Sequence, residues 1–205
     1  MEKQDLKKKF EGFYNPSKKE FTVIDVPEFD FLMVDGRGDP NTSQDYKDAI
    51  EALFSTSYTL KFMIKKGKTA IDYGVLPLES LWWTDDPTKF SLENKSNWNW
   101  TSMIMQPKFI TDPLVKEALE QVKKKKSPAA LTKLRFQSFK EGLAVQVMYV
   151  GAFSAEPPTI EKMHTFIKQN GYEFNGKHHE IYLTDATRTA PEKMKTIIRQ
   201  PIKKS

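Results

Sequence analysis

A glutamate in the middle of a predicted strand is the strongest candidate for chemistry in this chain. Residues 178–183 read His-His-Glu-Ile-Tyr-Leu, and side chains alternate along a strand, so His178, Glu180 and Tyr182 share one face while the intervening positions predict an apolar opposite face. Strands are depleted in glutamate, and an acid is seldom buried without a partner. Glu180 is therefore either a functional carboxylate or an ordinary acid on a solvent-exposed strand face.

A second glutamate, Glu79, lies in the segment Leu-Pro-Leu-Glu-Ser-Leu-Trp-Trp at residues 76–83. Two carboxylates in one groove can divide the roles of acid and base when their surroundings separate their pKa values. If the two segments belong to related halves of one domain, Glu79 and Glu180 can approach each other from opposite sides of a groove. The alternative is that Glu79 braces the loop beside Trp82 and Trp83, and both interpretations stay open.

All four tryptophans fall within one predicted hairpin, as Trp82, Trp83, Trp98 and Trp100. Tryptophan commonly serves core packing. Four wide π-faces in one hairpin also favour a pocket for flat aromatic or cationic ligands, which stacking and cation–π attraction would hold. Phenolic hydroxyls can reach the same cavity from Tyr58, Tyr73, Tyr149 and Tyr182.

Residue types that the chain lacks exclude several other chemistries. There are no cysteines among the 205 residues, which excludes disulfides, thiolate metal sites and thiol nucleophiles. The three histidines have no metal-ligand spacing, Gly36-Arg-Gly38 lacks the rest of a phosphate-binding loop, and no G-x-S-x-G elbow occurs. We therefore expect neither a metal nor a cofactor.

The composition is that of an ordinary globular protein, with 39% hydrophobic and 29% charged residues and a formal net charge of +5. Only four of the 32 basic residues are arginines, whereas recognition of phosphates and bases favours the guanidinium group. There is no apolar run of the ~18 residues that a membrane span needs, and no secretory signal. We expect a cytoplasmic protein that binds neither nucleic acid nor membrane, and the sequence makes no prediction of oligomeric state.

Hydrophobic periodicity predicts a mixed α+β chain. The predicted strands cover residues 21–26, 29–35, 71–83, 98–105, 134–139, 143–150 and 178–183. Helical spacing of apolar residues predicts helices over 43–64, 112–124 and 159–169. The capping signal Thr189-Ala-Pro-Glu192 predicts a further short helix over residues 190–198.

The two halves of the chain have the same order of features. In the first half a strand ends at Gly36 and is followed by a proline-bearing turn, a helix, and a strand that contains Glu79. In the second half the same order leads from Gly151 to Glu180. Two β-α-β-β units that pair into one α+β domain explain this order, with helices on one face of the sheets and a groove where the units meet.

The stretch from His178 to Ile202, together with residues 76–83, resembles the GyrI-like small-molecule-binding proteins. The resemblance extends from about Phe21 onward. It implies an α+β fold of two pseudo-symmetric β-α-β-β repeats, the GyrI-like or SOUL-type fold, around a central ligand groove. Residues 1–20 are then an N-terminal extension and residues 21–205 a single domain, with a first repeat over about 21–110 and a second over about 130–205.

The resemblance also implies a function for Glu180. In the family, a glutamate on the penultimate strand lies at the floor of an aromatic-lined pocket and attracts lipophilic, often cationic or planar compounds, and this glutamate matches Glu180. Many relatives are fused to a helix-turn-helix regulator, for which about twenty residues before the first strand are too few, so control of DNA in cis is not expected. Some relatives that resemble this chain hydrolyse cyclopropanoid DNA-alkylating compounds.

Two functions follow from this interpretation. The first is a detoxifying hydrolase in which Glu180 activates water and Tyr149 stabilises the developing phenolate. The alternative is a non-catalytic multidrug-binding protein that sequesters ligands in the same pocket, and inhibition of a topoisomerase by protein contact is a third possibility. The expected catalytic residues are Glu180 and Tyr149, and the expected ligand-binding residues are Trp83, Trp98, Trp100, Tyr73, Tyr182, Glu79 and His178.

Overall fold

Nine strands and five helices make up the computed structural model, which describes residues 2–86 and 94–205. The strands are β1 (Glu2–Gln4), β2 (Thr22–Arg37), β3 (Ile71–Tyr73), β4 (Leu78–Trp83), β5 (Asn99–Gln106), β6 (Arg135–Val150), β7 (Tyr172–Phe174), β8 (His178–Tyr182) and β9 (Lys195–Lys204). The helices are α1 (Leu6–Lys9), α2 (Glu11–Tyr14), α3 (Gln44–Lys66), α4 (Asp112–Lys125) and α5 (Pro157–Gln169). The chain is therefore α+β, as predicted. Residues 87–93 of the predicted first repeat lie outside the described residues.

Six strands form a sheet that closes on itself. Their order is β6-β2-β5-β4-β8-β9, and each neighbouring pair is antiparallel. Strand β9 also pairs with β6, which joins the two edges into a barrel-like ring. The short strand β7 extends the sheet beside the end of β9, and β1 pairs with β3 in a separate parallel ribbon. Closure gives the sheet an inner and an outer face.

Helices cover the outer face of this ring. Helix α3 begins after Ser43, whose hydroxyl accepts a hydrogen bond from the Tyr46 amide, and the helix packs on β2 and β5. Helix α5 packs on the outer face of the other half, where Val145, Ile198 and Met163 form a second apolar cluster. Helices α3 and α5 pack on different halves of the ring. The outer surface of β4 and β8 therefore lies between them.

Long-range pairing changes several of the predicted elements. The predicted strands over 21–26 and 29–35 are one continuous strand, β2, and those over 134–139 and 143–150 are one strand, β6. The predicted strand over 71–83 is divided into β3 and β4. The two long strands pair with each other along most of their length. This pairing keeps residues in the strands even where their own β propensity is low.

The predicted helix over residues 190–198 is wrong. Only Pro191–Lys193 form a single 3-10 turn, and the chain then enters β9 at Lys195. Strand β9 is hydrogen-bonded to β6 on one side and to β8 on the other, and the consecutive residues Ile197 and Ile198 are both buried. The local signal gives only this turn, which no side chain caps, because tertiary pairing on both edges outweighs it.

The described residues before β2 contact the ring through a few buried side chains. Leu6 and Tyr14 are buried in the main core, and the Phe13 carbonyl accepts a hydrogen bond from Arg199 of β9 at 2.7 Å. Among the described residues, none of the helices combines the length and the apolar character that crossing a membrane requires.

Candidate functional site

A cavity of about 670 Å³ lies beside the outer face of β4 and β8 and under the side of α3. This volume is within the range of small-molecule pockets, which is roughly 300–1,000 Å³. Its walls come from several elements and combine aromatic, aliphatic and charged side chains. The aromatic ones are Tyr46, Phe54, Tyr58, Trp82, Trp98, Phe153 and Tyr182.

The walls hold their shape because the rings pack against one another. The Trp82 ring centroid lies 5.3 Å from that of Trp98 and 5.6 Å from that of Tyr46. Trp100 supports Tyr46 from behind, edge to face at 5.1 Å. The Tyr46 hydroxyl lies 3.1 Å from Ser80 Oγ on β4, which ties α3 to the sheet. Such rigid π-surfaces need little reordering when a flat ligand enters.

Glu180 lies on β8 and reaches into this cavity, although only 9% of the residue is exposed. The Tyr182 hydroxyl donates to Glu180 Oε2 at 2.7 Å. His178 Nε2 lies 3.2 Å from Oε1 and donates to it, since an ionised carboxylate only accepts. Burial acts to raise the pKa of Glu180, but the hydrogen bonds from His178 and Tyr182 outweigh burial and lower it. Glu180 is therefore a carboxylate at neutral pH.

A short hydrogen-bond chain orients this carboxylate. The Trp82 indole Nε1 donates to the Tyr182 hydroxyl at 3.2 Å, and that hydroxyl in turn donates to Glu180. A hydroxyl that accepts one bond while donating another is polarised, which strengthens the second bond. The same chain draws the edge of Trp82 and the ring of Tyr182 together beside the carboxylate. It thereby links the aromatic wall to the acidic floor of the cavity.

A second carboxyl group in this cavity was missed by the sequence analysis. Glu156 precedes α5, is only 4% exposed, and lines the same cavity as Glu180. Burial and the nearby charge of Glu180 raise the pKa of Glu156 to about 9, so this group is neutral at pH 7. An acid placed directly before Pro157-Pro158 was the available signal, because two prolines provide no amide for that acid to cap.

Three of the predicted site residues line the cavity and a fourth touches the carboxylate. Glu180, Trp98 and Tyr182 are lining residues, and His178 reaches the cavity through its hydrogen bond to Glu180. The side chains of His178, Glu180 and Tyr182 lie on one face of β8, as strand alternation predicts. The hydrogen bonds of His178 and Tyr182 to Glu180 show that the three side chains share this face.

The structure does not bring the other predicted aromatic residues to the cavity. Trp100 is buried behind Tyr46, and Trp83 lies beneath the ammonium group of Lys177, which is 3.2 Å from the centre of the ring. Tyr73 is buried on β3 against Phe109, edge to face at 5.3 Å. Each of these rings stabilises the core or an end of the sheet.

The structure also places Tyr149 apart from the lining residues described. Its hydroxyl donates to the carbonyl of Ala152 at 3.0 Å and so closes the turn that follows β6. The tyrosines that do line the cavity are Tyr46, Tyr58 and Tyr182. Tyr149 is opposite Thr196 of β9, which is opposite Tyr182 of β8, so Tyr149 shares a face with Tyr182 but lies two strands away from it.

Glu79 points to the inner face of the ring, away from Glu180. Directly opposed residues of antiparallel strands share a face, and Glu79 is opposite Ile181, whereas Ser80 is opposite Glu180. Glu79 accepts a hydrogen bond from the Tyr14 hydroxyl at 2.6 Å. The two glutamates that were considered as a pair therefore lie on opposite sides of the sheet.

The inner face at this end is charged, whereas the sequence analysis predicted an apolar face. His179 Nδ1 lies 2.8 Å from Glu141, and its Nε2 lies 3.0 Å from Glu79, close enough for an ion pair but outside hydrogen-bond geometry. Arg199 donates to the other oxygen of Glu141 at 3.0 Å. Burial acts to lower the pKa of His179, but the two carboxylates outweigh burial and raise it to about 9. Two acidic side chains, Glu79 and Glu141, are thus matched by two basic ones, His179 and Arg199.

Among the buried acids that line the cavity, Glu180 is ionised and Glu156 is neutral. The ionised group can accept a hydrogen bond or a proton, or attract a cation, and the neutral group can donate. Within the described ranges, no group of three or more histidine, aspartate or glutamate residues is arranged to hold a metal ion. The arrangement therefore offers general acid and base groups and a binding enclosure.

Comparison with known proteins places this site in a family. Residues 19–203 match the family model of the GyrI-like small molecule binding domain. No match was found among curated proteins.

Three solved structures from Listeria innocua are similar over nearly the whole length of both chains. An uncharacterized conserved protein is 42% identical, with a TM-score of 0.89, and covers 97% of this chain and 99% of its own. A hydrolase is 40% identical, with a TM-score of 0.88 and coverages of 98% and 100%. Another hydrolase is 39% identical, with a TM-score of 0.84 and coverages of 97% and 99%. The chain belongs to the family of GyrI-like small-molecule-binding domains.

Proposed function

We propose that this protein binds lipophilic, planar aromatic or cationic small molecules and hydrolyses cyclopropanoid alkylating compounds among them, which detoxifies them. The observation that carries the proposal is the Glu180 carboxylate, which is ionised, hydrogen-bonded on both oxygens and placed at an aromatic cavity of about 670 Å³. Binding and chemistry then use the same enclosure.

Binding follows from the walls of the cavity. A flat ligand that lies against the wall formed by Tyr46, Trp82 and Trp98 would remove apolar surface from water. Each Å² of apolar surface buried contributes roughly 25 cal/mol before the costs of association. A positive charge on the ligand gains further from the indole faces and from the carboxylate of Glu180. These contacts favour neutral aromatic compounds and lipophilic cations, although Lys7 and Lys95 line the same cavity and repel a cation that approaches them.

Hydrolysis needs a base beside an activated ring carbon. In a spirocyclopropyl dienone, the oxygen of water bonds to the methylene carbon while the carbon–carbon bond of the strained ring breaks. The electron pair of that bond moves through the conjugated ring to the carbonyl oxygen, which becomes a phenolate. Glu180 takes the proton of the water, and the phenolate takes up a proton, so the net change is the addition of one water. No oxidant, metal or cofactor is required.

Two observations support an enzyme. Each oxygen of Glu180 accepts one hydrogen bond and so keeps a second lone pair that a water can use. Two structures about 40% identical to this chain are of hydrolases, and the similarity covers nearly the full length of both chains. Positioning a water and a strained electrophile together supplies much of the rate, because ring strain already favours opening.

Sequestration without turnover is the second candidate. It is favoured by the two hydrogen bonds from His178 and Tyr182, which keep the pKa of Glu180 low and therefore weaken it as a base. A carboxylate of low pKa is well suited to act as the counter-ion of a bound cation. In that case the protein would lower the free concentration of the toxic compound by binding alone.

Incubation with a spirocyclopropyl dienone alkylator, followed by mass spectrometry, separates the two candidates. We expect ring-opened alcohol in large excess over protein. Glu180→Gln keeps the shape and removes the base, so the turnover rate should fall about 100-fold or more while binding of the ring-opened product falls much less. Glu173→Gln, at a half-exposed site on β7 paired with Lys203, is the matched control and should retain full activity. Unchanged compound bound at one equivalent would refute hydrolysis and support sequestration.

A further inference from the structure

Glu156 is a buried acid that the chemistry described so far does not use. It lines the same cavity as Glu180 and is 4% exposed. Among the residues that the structure describes, its Oε1 has no hydrogen-bond partner. A buried carboxyl oxygen without a partner costs free energy, so its retention at the wall of a cavity requires an explanation.

The start of α5 explains why this side chain is available. A residue that precedes a helix commonly uses its side chain to accept from amides of the first turn. At α5 the first two helical positions are Pro157 and Pro158, which have no N–H. The next amides, of Thr159 and Ile160, donate to the main-chain oxygen of Glu156 at 2.8 and 3.2 Å. The side chain makes no capping bond and faces the cavity.

The groups that surround Glu156 decide its ionisation. Strand β8 presents the Glu180 carboxylate and the Tyr182 hydroxyl, β6 presents Tyr149, β9 presents Thr196, and Lys95 lies on the loop before β5. Burial and then the negative charge of Glu180 raise the pKa of Glu156 to about 9, against the smaller opposing effects of Thr196 and Lys95. At neutral pH, Glu156 is therefore protonated, and its Oε1 has no hydrogen-bond partner among the described residues.

We propose that Glu156 is the general acid of this site: its carboxyl group donates a hydrogen bond, and then its proton, to a carbonyl oxygen of the substrate. This inference rests on the proposed hydrolysis and deepens it. As water attacks the strained carbon, the electron pair of the broken ring bond arrives at the carbonyl oxygen, and the O–H bond of Glu156 breaks to give a phenol and the Glu156 carboxylate. Glu180 gains the proton of the water, so passage of that proton to Glu156 restores both groups.

The inference narrows the substrate class. A cyclopropane alone does not use a hydrogen-bond donor, so the site selects compounds in which a carbonyl is conjugated to the strained ring. A site that presents a buried donor discriminates strongly against an analogue without the acceptor, because the donor is then left unpaired. Simple lipophilic cations bind to the aromatic walls and Glu180 without engaging Glu156.

The activity test compares pH profiles. With a spirocyclopropyl dienone, the wild-type rate should be constant near neutrality and fall as the pH rises through about 9, where Glu156 loses its proton. In Glu156→Gln, the rate at pH 7 should fall about 100-fold, the alkaline decline should disappear, and binding of the ring-opened product should change by less than about tenfold. An unaltered alkaline decline in this variant would overturn the proposal, as would wild-type turnover at pH 7.

A spectroscopic test does not depend on turnover. The infrared spectrum of the wild-type protein in D₂O at pH 7 should contain a protonated carboxylic acid band that Glu156→Gln lacks, and that shifts when a carbonyl-bearing aromatic ligand such as naphthoquinone binds. In Glu180→Gln the neighbouring charge is absent, so the band should be lost at a lower pH than in the wild type. If the wild-type protein opens no ring but shows the carboxylic acid band and its shift, the proposed hydrolysis is refuted, whereas the role of Glu156 as a hydrogen-bond donor is supported. Absence of the band, or a band that no carbonyl ligand shifts, would overturn the donor role.

Discussion

Removal of the Tyr14 hydroxyl tests whether the charged cluster on the inner face stabilises the protein. The Tyr14 hydroxyl donates to Glu79 at 2.6 Å, and the residue is buried between the N-terminal helices and the sheet. Tyr14→Phe keeps the ring and removes only this donor. The Glu79 oxygen that accepted the bond is left buried without it, while its other oxygen stays 3.0 Å from His179.

The expected cost follows from the charge on the acceptor. A hydrogen bond to an ionised group contributes roughly 1.5–3 kcal/mol. For a chain of this length, each kcal/mol lowers the melting temperature by about 2–4 °C. Tyr14→Phe should therefore lower it by about 3–12 °C. Ligand binding at the cavity should be unchanged, because Glu79 and Glu180 lie on opposite faces of the sheet.

Calorimetry at pH 7 measures this change, and dye fluorescence reports the occupancy of the cavity. Tyr58→Phe is the matched control for stability, since Tyr58 is exposed on α3, and it should shift the melting temperature by about 1 °C or less. It is not a control for dye binding, because Tyr58 also lines the cavity. A melting temperature for Tyr14→Phe within 1 °C of the wild type would refute the reasoning. It would show that Glu79 does not depend on this donor.

Two further predictions concern pH and packing. Because the pKa of His179 is raised to about 9 in the folded state, its contribution to the free energy of unfolding is complete below its ordinary value of 6.5 and is lost as the pH rises through 9. The pKa of Glu141 is lowered to about 2, so its contribution is present above 4.5 and lost as the pH falls towards 2. Urea midpoints should decline in both windows, and a constant midpoint from pH 7 to 10 would contradict the assignment of His179. Gly36→Ala places a methyl group against the buried Trp100 ring and should cost about 1–3 kcal/mol by urea unfolding, whereas Gly74→Ala, in open space, should be nearly neutral.

Most strands and helices could be predicted from the sequence because hydrophobic periodicity is a local property. The helix boundaries of α3, α4 and α5 lie within two residues of the predicted ones. Strand β9 was missed because Ile197 and Ile198 are buried on opposite faces, and a continuous apolar run has no period that distinguishes a strand from a helix. Its hydrogen bonds go to β6 and β8, which are distant in sequence from its own capping signal.

The candidate site, too, could be predicted from the sequence only in part. Strand alternation was sufficient to place His178, Glu180 and Tyr182 together, because a period of two residues needs no information from elsewhere. It could not determine which second carboxyl group joins them. Glu79 pairs opposite Ile181, and a shift of one residue in that register would have brought it to the face of Glu180.

The amino-acid sequence by itself determined the class of the fold, the face that carries Glu180, and the aromatic character of the hairpin, because each depends on residues near one another in the chain. Tertiary structure alone decided that Glu156 shares the cavity, that Glu79 belongs to a charged cluster with His179, and that Trp83 and Trp100 do not line the cavity. Strand register and the position of α5 over the sheet set these relations, and both arise from contacts between segments far apart in the chain.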